Sequence, residues 1–238
     1  MSVRYQYRGG QVEAYESTTH ERMTVTSPLF FKEDFLGRIV NVTDIWATHI
    51  TGSGPPTAAI VAGGASGICA LTLTADNEAQ LADIDWNDQK PLVLNQGLVF
   101  ESRFRLSVLP TGSVVACVGL SSSHNAAVNT VATSAWFRAD GNGVITVETD
   151  DTSNETSQVS TGVTVTTSDW IIGRIDCTDP TSVKFYINGN QVAASTTFNM
   201  NTAPTVALQP VARIGKESSA TTVGTLQVDY IAIWQKRS

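Results

Sequence analysis

The sequence is short of charge, of basic residues most of all, and of cysteine. Charged residues are 16% of its 238 positions, and 15 Lys and Arg stand against 22 Asp and Glu for a formal net charge of -7. An average soluble domain carries about 25% charge. Proteins that bind nucleic acid or anionic membranes neutralise phosphates with clustered Lys and Arg, so neither partner is expected here. No run of about 18 apolar residues occurs, so no transmembrane helix is expected. The first ten residues lack the apolar stretch of a secretory signal. Cys69, Cys117 and Cys177 are odd in number, far apart and without metal-type spacing. They read as small buried hydrophobes in a chain made in a reducing cytoplasm. Cofactor motifs are missing too. The Gly63-Gly64-Ala65-Ser66-Gly67 cluster lacks the lysine of a phosphate loop, and no Gly-x-Ser-x-Gly elbow exists. The expectation is therefore no cofactor and no metal.

What the chain does have is strand chemistry. Hydrophobic residues are 42%, enough for a core, and Thr, Ser, Val and Ala favour strands and turns over helices. From Val99 to Val108 the residues alternate, with Phe100, Phe104, Leu106 and Val108 on one side and Glu101, Arg103, Arg105 and Ser107 on the other. That period of two marks a strand with one wet face. Val183 to Ile187 alternates, meets Asn188-Gly189, and is followed by Gln191-Val192, the pattern of a hairpin. Leu226 to Trp234 becomes apolar on both faces, as a central strand does. Further strands are expected at 67–75, 78–86, 113–120, 131–139, 143–149, 157–166, 169–176 and 206–214. The best helical candidate, Asp76–Ile84, fits a strand equally well. Many short strands without intervening helices predict an all-β, two-sheet antiparallel jelly-roll sandwich over 29–238. Residues 1–28 are polar and read as an extended N-terminal arm. In it, Tyr5, Tyr7 and Arg8 are candidate partner contacts.

The order of Lys32-Glu-Asp-Phe-Leu36, the Leu98–Leu106 strand, Trp170-Ile-Ile-Gly-Arg-Ile-Asp176, Val183–Val192 and Val228-Asp-Tyr-Ile-Ala-Ile-Trp234 resembles the concanavalin A-like, laminin-G-like jelly roll. It is particularly similar to the domains of tailed-bacteriophage virion proteins. The resemblance implies a structural, non-enzymatic virion component, a capsid decoration or cementing protein or a head appendage. Its arm would dock on the major capsid protein or other virion subunits, and the protein would assemble in the host cytoplasm as a homo-oligomer. Because the fold hosts lectins and glucanases as well, two alternatives stand: a carbohydrate-binding, host-attachment module, and a polysaccharide hydrolase.

Each alternative names residues. A glycan platform needs an exposed aromatic; Trp86, between Asp85 and Asn87, is the tryptophan expected at the surface, with Asp85 and Asp88 as candidate glycan contacts beside it, whereas Trp170 and Trp234 sit in apolar runs and read as core. The fold's hydrolases carry carboxylates at alternate positions of one strand. The nearest match is taken to be Glu148-Thr-Asp150, but Ser153 stands where a third carboxylate belongs, and Glu155 is off the spacing. Asp83-Ile-Asp85-Trp-Asn87-Asp88 alternates oxygen ligands as calcium likes, yet it lacks the glycine and bidentate glutamate of a calcium loop. His20, His49 and His124 show no triad pattern; Ser123 beside His124 is sequence adjacency alone.

Overall fold

The structure, a computed structural model, describes residues 29–40, 45–125, 127–202 and 205–236, together with the backbone of the strands at 3–8 and 11–16. Within residues 1–28, where composition predicts an extended arm, β1 (Val3–Arg8) and β2 (Gln11–Glu16) pair with each other as an antiparallel two-stranded sheet, Val3 opposite Glu16 and Arg8 opposite Gln11. The side chains of Tyr5, Tyr7 and Arg8 lie outside the described residues.

Two eight-stranded antiparallel sheets make the sandwich. The first runs β13 (Thr156–Thr164), β12 (Val144–Asp150), β11 (Ser134–Ala139), β10 (Val115–Ser121), β17 (Ala207–Lys216), β7 (Gln80–Asp85) and β4 (Ala47–Thr51), with β8 (Leu92–Val93) on β17. The second runs β16 (Asn190–Val192), β15 (Lys184–Ile187), β14 (Ile171–Cys177), β9 (Leu98–Val108), β18 (Thr225–Gln235), β6 (Cys69–Thr72) and β5 (Thr57–Ile60), with β3 (Leu29–Glu33) on β18. The all-β jelly roll expected from the patterning is the observed fold. The ambiguous stretch at 76–84 is strand, because β7 is covered on both faces and every residue of it is buried.

Between the sheets lies one core. A chain of rings crosses it, Phe104 to Phe137 at 5.9 Å, Phe137 to Phe185 at 5.5 Å and Phe185 to Phe198 at 5.0 Å. Gly173 of β14 leaves room for this, since a Cβ there would stand 2.7 Å from the Phe137 ring. The Asn188-Gly189 turn has positive φ at both residues, 51° and 81°, the geometry that matches the twist of paired strands. All three cysteines are free and buried; burial pushes the Cys69 and Cys117 thiols up to about 12. Among the described residues no helix is long and apolar enough to cross a membrane.

The first sheet also has a second, smaller apolar cluster on its other face. Cys117, Trp136 and Val211 point away from the main core and are covered by Val128 and Val131. The described residues of the β10–β11 connection, 122–125 and 127–133, therefore fold back across that face rather than into solvent. Lys90 Nζ donates to the Ser122 carbonyl at 3.0 Å, and Arg138 donates to Asn129 Oδ1 at 2.7 Å, fixing the segment at both ends.

Candidate functional site

Residues opposite each other in an antiparallel ladder point to the same side, so the registers show what this outer face carries. One row reads His49, Asp83, Arg213, Cys117, Arg138 and Thr146 across β4, β7, β17, β10, β11 and β12. The next reads Ala47, Asp85, Val211, Gly119, Trp136 and Glu148. A period of two puts Asp83 and Asp85 on the outer face and Ile84 and Trp86 on the core side. That reverses the expectation for Trp86. It is half-buried, packed edge-on against Phe31 at 4.9 Å and near Trp46 at 6.3 Å, and offers no open platform. Trp170 and Trp234, expected in the core, are instead half-exposed on the second sheet, where Arg103 and Arg105 stack on Trp170 at 4.6 and 4.7 Å. Asp88 is exposed at the end of the β7 turn and exchanges hydrogen bonds with Gln209.

Asp83 and Asp85 are 0% exposed. Two imidazoles cover them. His49 Nε2 lies 3.3 Å from Asp85 Oδ1, and His124 Nδ1 lies 3.9 Å from both Asp83 Oδ2 and Asp85 Oδ2. The two rings are stacked, centroids 3.6 Å apart and 15° between planes. Each histidine side chain keeps 25% of its surface exposed. One imidazole nitrogen or carboxylate oxygen from each of the four residues lies within 4.8 Å of those of the others. Arg213 closes one side, its Nε 4.0 Å from Asp83 Oδ2, while its Nη1 donates to the Asn125 carbonyl. Both oxygens of Asp83, Oδ2 of Asp85 and Nδ1 of His124 are buried without a hydrogen-bond partner. Burial and the facing Asp83 charge raise the Asp85 pKa above the ordinary carboxylate range. The Asp83 carboxylate that His124 points at raises the histidine above its usual value.

Beside this cluster the same face opens into a groove of about 650 Å³, lined among others by Gln80, Val115, Asn129, Arg138, Arg213 and Lys216. Ligand pockets span about 300–1,000 Å³. Arg213 belongs to both the groove wall and the cluster.

The sequence pattern taken for a carboxylate pair, Glu148 and Asp150, sits on β12, four strand spacings or about 19 Å from β7. Glu148 is spent on Arg138, 3.1 Å away. The other alternating pair on this sheet is Asp83 and Asp85, which Arg213 meets only at 4.0 Å from one Asp83 oxygen. The sequence pattern offers these residues as a partial calcium loop, and Asp85 as a glycan contact beside Trp86. The pair's signal was available, as Asp-Ile-Asp inside a strand, but an acidic face normally means a wet face. The partners His49 and His124 had no sequence signal, because they reach Asp83 only through the β4–β7 register and the fold-back of residues 122–133.

Residues 56–233 match the family described as SO2946-like, C-terminal domain. The chain belongs to that family. No curated protein matches it. Among solved structures it is similar to a protein of unknown function, SO2946, from Shewanella oneidensis MR-1, at 15% identity and a TM-score of 0.57, over 88% of this chain and 87% of that one. It is also similar to the Bacillus licheniformis β-glucanase, at 11% identity and 0.57, over 87% and 98%. A third is a GlcNAcα1-4Gal-releasing endo-β-galactosidase from Clostridium perfringens, at 11% identity and 0.61, over 88% of this chain and 63% of that one. At these identities the likeness is one of fold, and it bears out the concanavalin A-like sandwich. The expectation of a non-enzymatic phage virion protein is corrected here. The similar structures of named activity are glucanases and endo-glycosidases rather than virion subunits. The expectation also rested on the lack of a carboxylate pair, and the structure supplies one at Asp83 and Asp85.

Proposed function

We propose that this SO2946-like domain is a polysaccharide hydrolase whose working surface is the outer face of the β4–β7–β17–β10 sheet. One observation carries the reading: two buried carboxylates at alternate positions of β7, facing the same side and free of hydrogen-bond partners at three of their four oxygens, beside a groove large enough for sugar rings. The likeness in fold to glucanases and endo-glycosidases supports it. One oxygen of each carboxylate lies within 4.8 Å of one from the other. That fits the close spacing of retaining hydrolysis, about 5–5.5 Å, and not the wider inverting one. In this scheme Asp83 bonds to the anomeric carbon as the bond to the leaving oxygen breaks. Asp85 gives its proton to that oxygen. Asp85 then takes a proton from the water that displaces Asp83. Arg213, across from Asp83 and in the groove wall, positions the nucleophile and contacts the chain of sugars.

A binding role is the second reading. The observation favouring it is the stacked His49–His124 pair, which covers both carboxylates.

The test is release of reducing ends from β-1,3-glucan, mixed-linkage β-1,3-1,4-glucan and β-galactan by metal-free protein. The expected result is cleavage of at least one, reduced 100-fold or more in Asp83→Asn and in Asp85→Asn. Binding to a polysaccharide without cleavage would move the protein to the second reading. Neither binding nor cleavage of any of them would overturn both.

A further inference from the structure

We infer that His49, Asp83, Asp85 and His124 form a site for one divalent transition-metal ion of the zinc class. Four donor atoms converge: two imidazole nitrogens and two carboxylate oxygens, all within 4.8 Å of one another. Tetrahedral ligands about 2.0–2.1 Å from zinc stand about 3.3 Å apart. His49 Nε2 is already 3.3 Å from Asp85 Oδ1, and His124 Nδ1 stands 3.9 Å from Oδ2 of each carboxylate; with all donors within 4.8 Å, their separations need shrink by about 1.5 Å at most to reach zinc spacing. The donor types select the ion. Imidazole suits zinc, copper, iron and nickel, whereas calcium and magnesium want oxygens throughout. This differs from the calcium pattern considered along Asp83–Asp88, because the ligands come from two strands and a loop rather than from one turn.

A second observation points the same way. Both Asp83 oxygens, Asp85 Oδ2 and His124 Nδ1 are buried, aimed into the cluster, and without a hydrogen-bond partner. Buried polar atoms are nearly always satisfied, and two adjacent buried carboxylates are costly unless positive charge compensates them. Arg213 approaches Asp83 from one side at 4.0 Å. A dication at the centre, bound by one atom of each residue, would meet one Asp83 oxygen, Asp85 Oδ2 and His124 Nδ1 together. The scaffold around them is rigid: His49 and Asp83 are opposed in the ladder, and residue 124 follows Ser122, which is tied to Lys90 and Thr133. The stacked rings cannot both aim in-plane lone pairs at one ion, so loading turns one ring out of the stack. The exposed quarter of each side chain gives that ring space and gives the ion a way in.

The inference does not depend on the hydrolase reading. A bound ion takes the carboxylate lone pairs that hydrolysis needs, so loading and cleavage exclude each other at this site.

The experiment is calorimetric titration of the EDTA-stripped full chain with zinc chloride, and with cobalt(II) to read its visible absorption. The expected result is one ion per chain with micromolar or tighter affinity, an intense four-coordinate cobalt spectrum, and a rise in Tm. In the His49→Ala/His124→Ala double variant, affinity falls 100-fold or more at unchanged circular dichroism. Should that variant not fold, His124→Asn, outside the strands, takes its place with a loss of at least tenfold. No saturable uptake by the stripped protein, or uptake undiminished in a folded variant, would overturn the site. Neither titration involves a glycan, so this failure is distinct from failure of the glucan and galactan assay.

Discussion

Asp83 and Asp85 are badly placed for stability: wholly buried, side by side, of like charge, and short of hydrogen bonds. A site that breaks the rules of burial commonly does so for function. It follows that Asp83→Asn lowers activity while raising the stability of the metal-free protein by about 1 kcal/mol, read as an increase in denaturant midpoint. A fall of that size would mean the carboxylate is structural. Asp151 is the opposite case. It too is buried, which alone would raise its pKa, but it accepts from the backbone of Ser153, Asn154 and Thr202 and from the Asn154 amide, and these bonds hold it below the ordinary carboxylate range. Asp151→Asn turns one acceptor into a donor facing donors, at a cost of about 1–3 kcal/mol. The sign with pH follows. A depressed carboxylate contributes above its unfolded pKa of about 3.9 and loses that contribution as pH falls through the lower folded value. The variant should therefore lose less stability on acidification than the wild type, checked by urea melts between neutral pH and pH 2.

At the scale of elements, alternation was legible wherever one face met the core and the other met water. The Phe100–Val108 strand, the Asn188-Gly189 hairpin and the final strand are where the period and the turn chemistry put them. Asp76–Ile84 was ambiguous because β7 has no wet face: Leu81, Ala82 and Ile84 are buried, and so are Asp83 and Asp85. A buried carboxylate removes the polar beat that marks a strand's outer side. The same effect hid the site, since its acids read as the polar end of a strand and its histidines lie 34 and 41 residues from Asp83 in opposite directions along the chain. For a related reason Trp86 reads as a surface residue in the sequence: its polar neighbours Asp85 and Asn87 mask that its own side faces Phe31 and Trp46. Element packing also yields a prediction at β14. A methyl at Gly173 would meet the Phe137 and Phe104 rings at 2.7 and 3.0 Å, in a core that cannot widen cheaply. Gly173→Ala should cost about 1–3 kcal/mol by chemical denaturation; a neutral effect would mean the sheets can separate locally.

For the whole molecule, the two sheets have different outer surfaces. The second sheet presents arginines stacked on Trp170 and Tyr186, with ion pairs between Arg103 and Asp229 and between Arg174 and Asp176. The first presents the acid–histidine cluster, the groove and the folded-back segment at 122–133. Composition showed that a sandwich would form, but which face would work is set by long-range register and by that one connection, neither of which is written locally in the sequence. The central claim is that glycan meets the first sheet. Backbone-amide chemical-shift mapping with fragments of the polysaccharides tested above, on the inactive Asp83→Asn protein, measures this directly. The account predicts saturable shifts confined to β7, β17, β10 and residues 122–133. Shifts centred on Trp170 and Tyr186 of the second sheet, or none at saturating fragment, would contradict it.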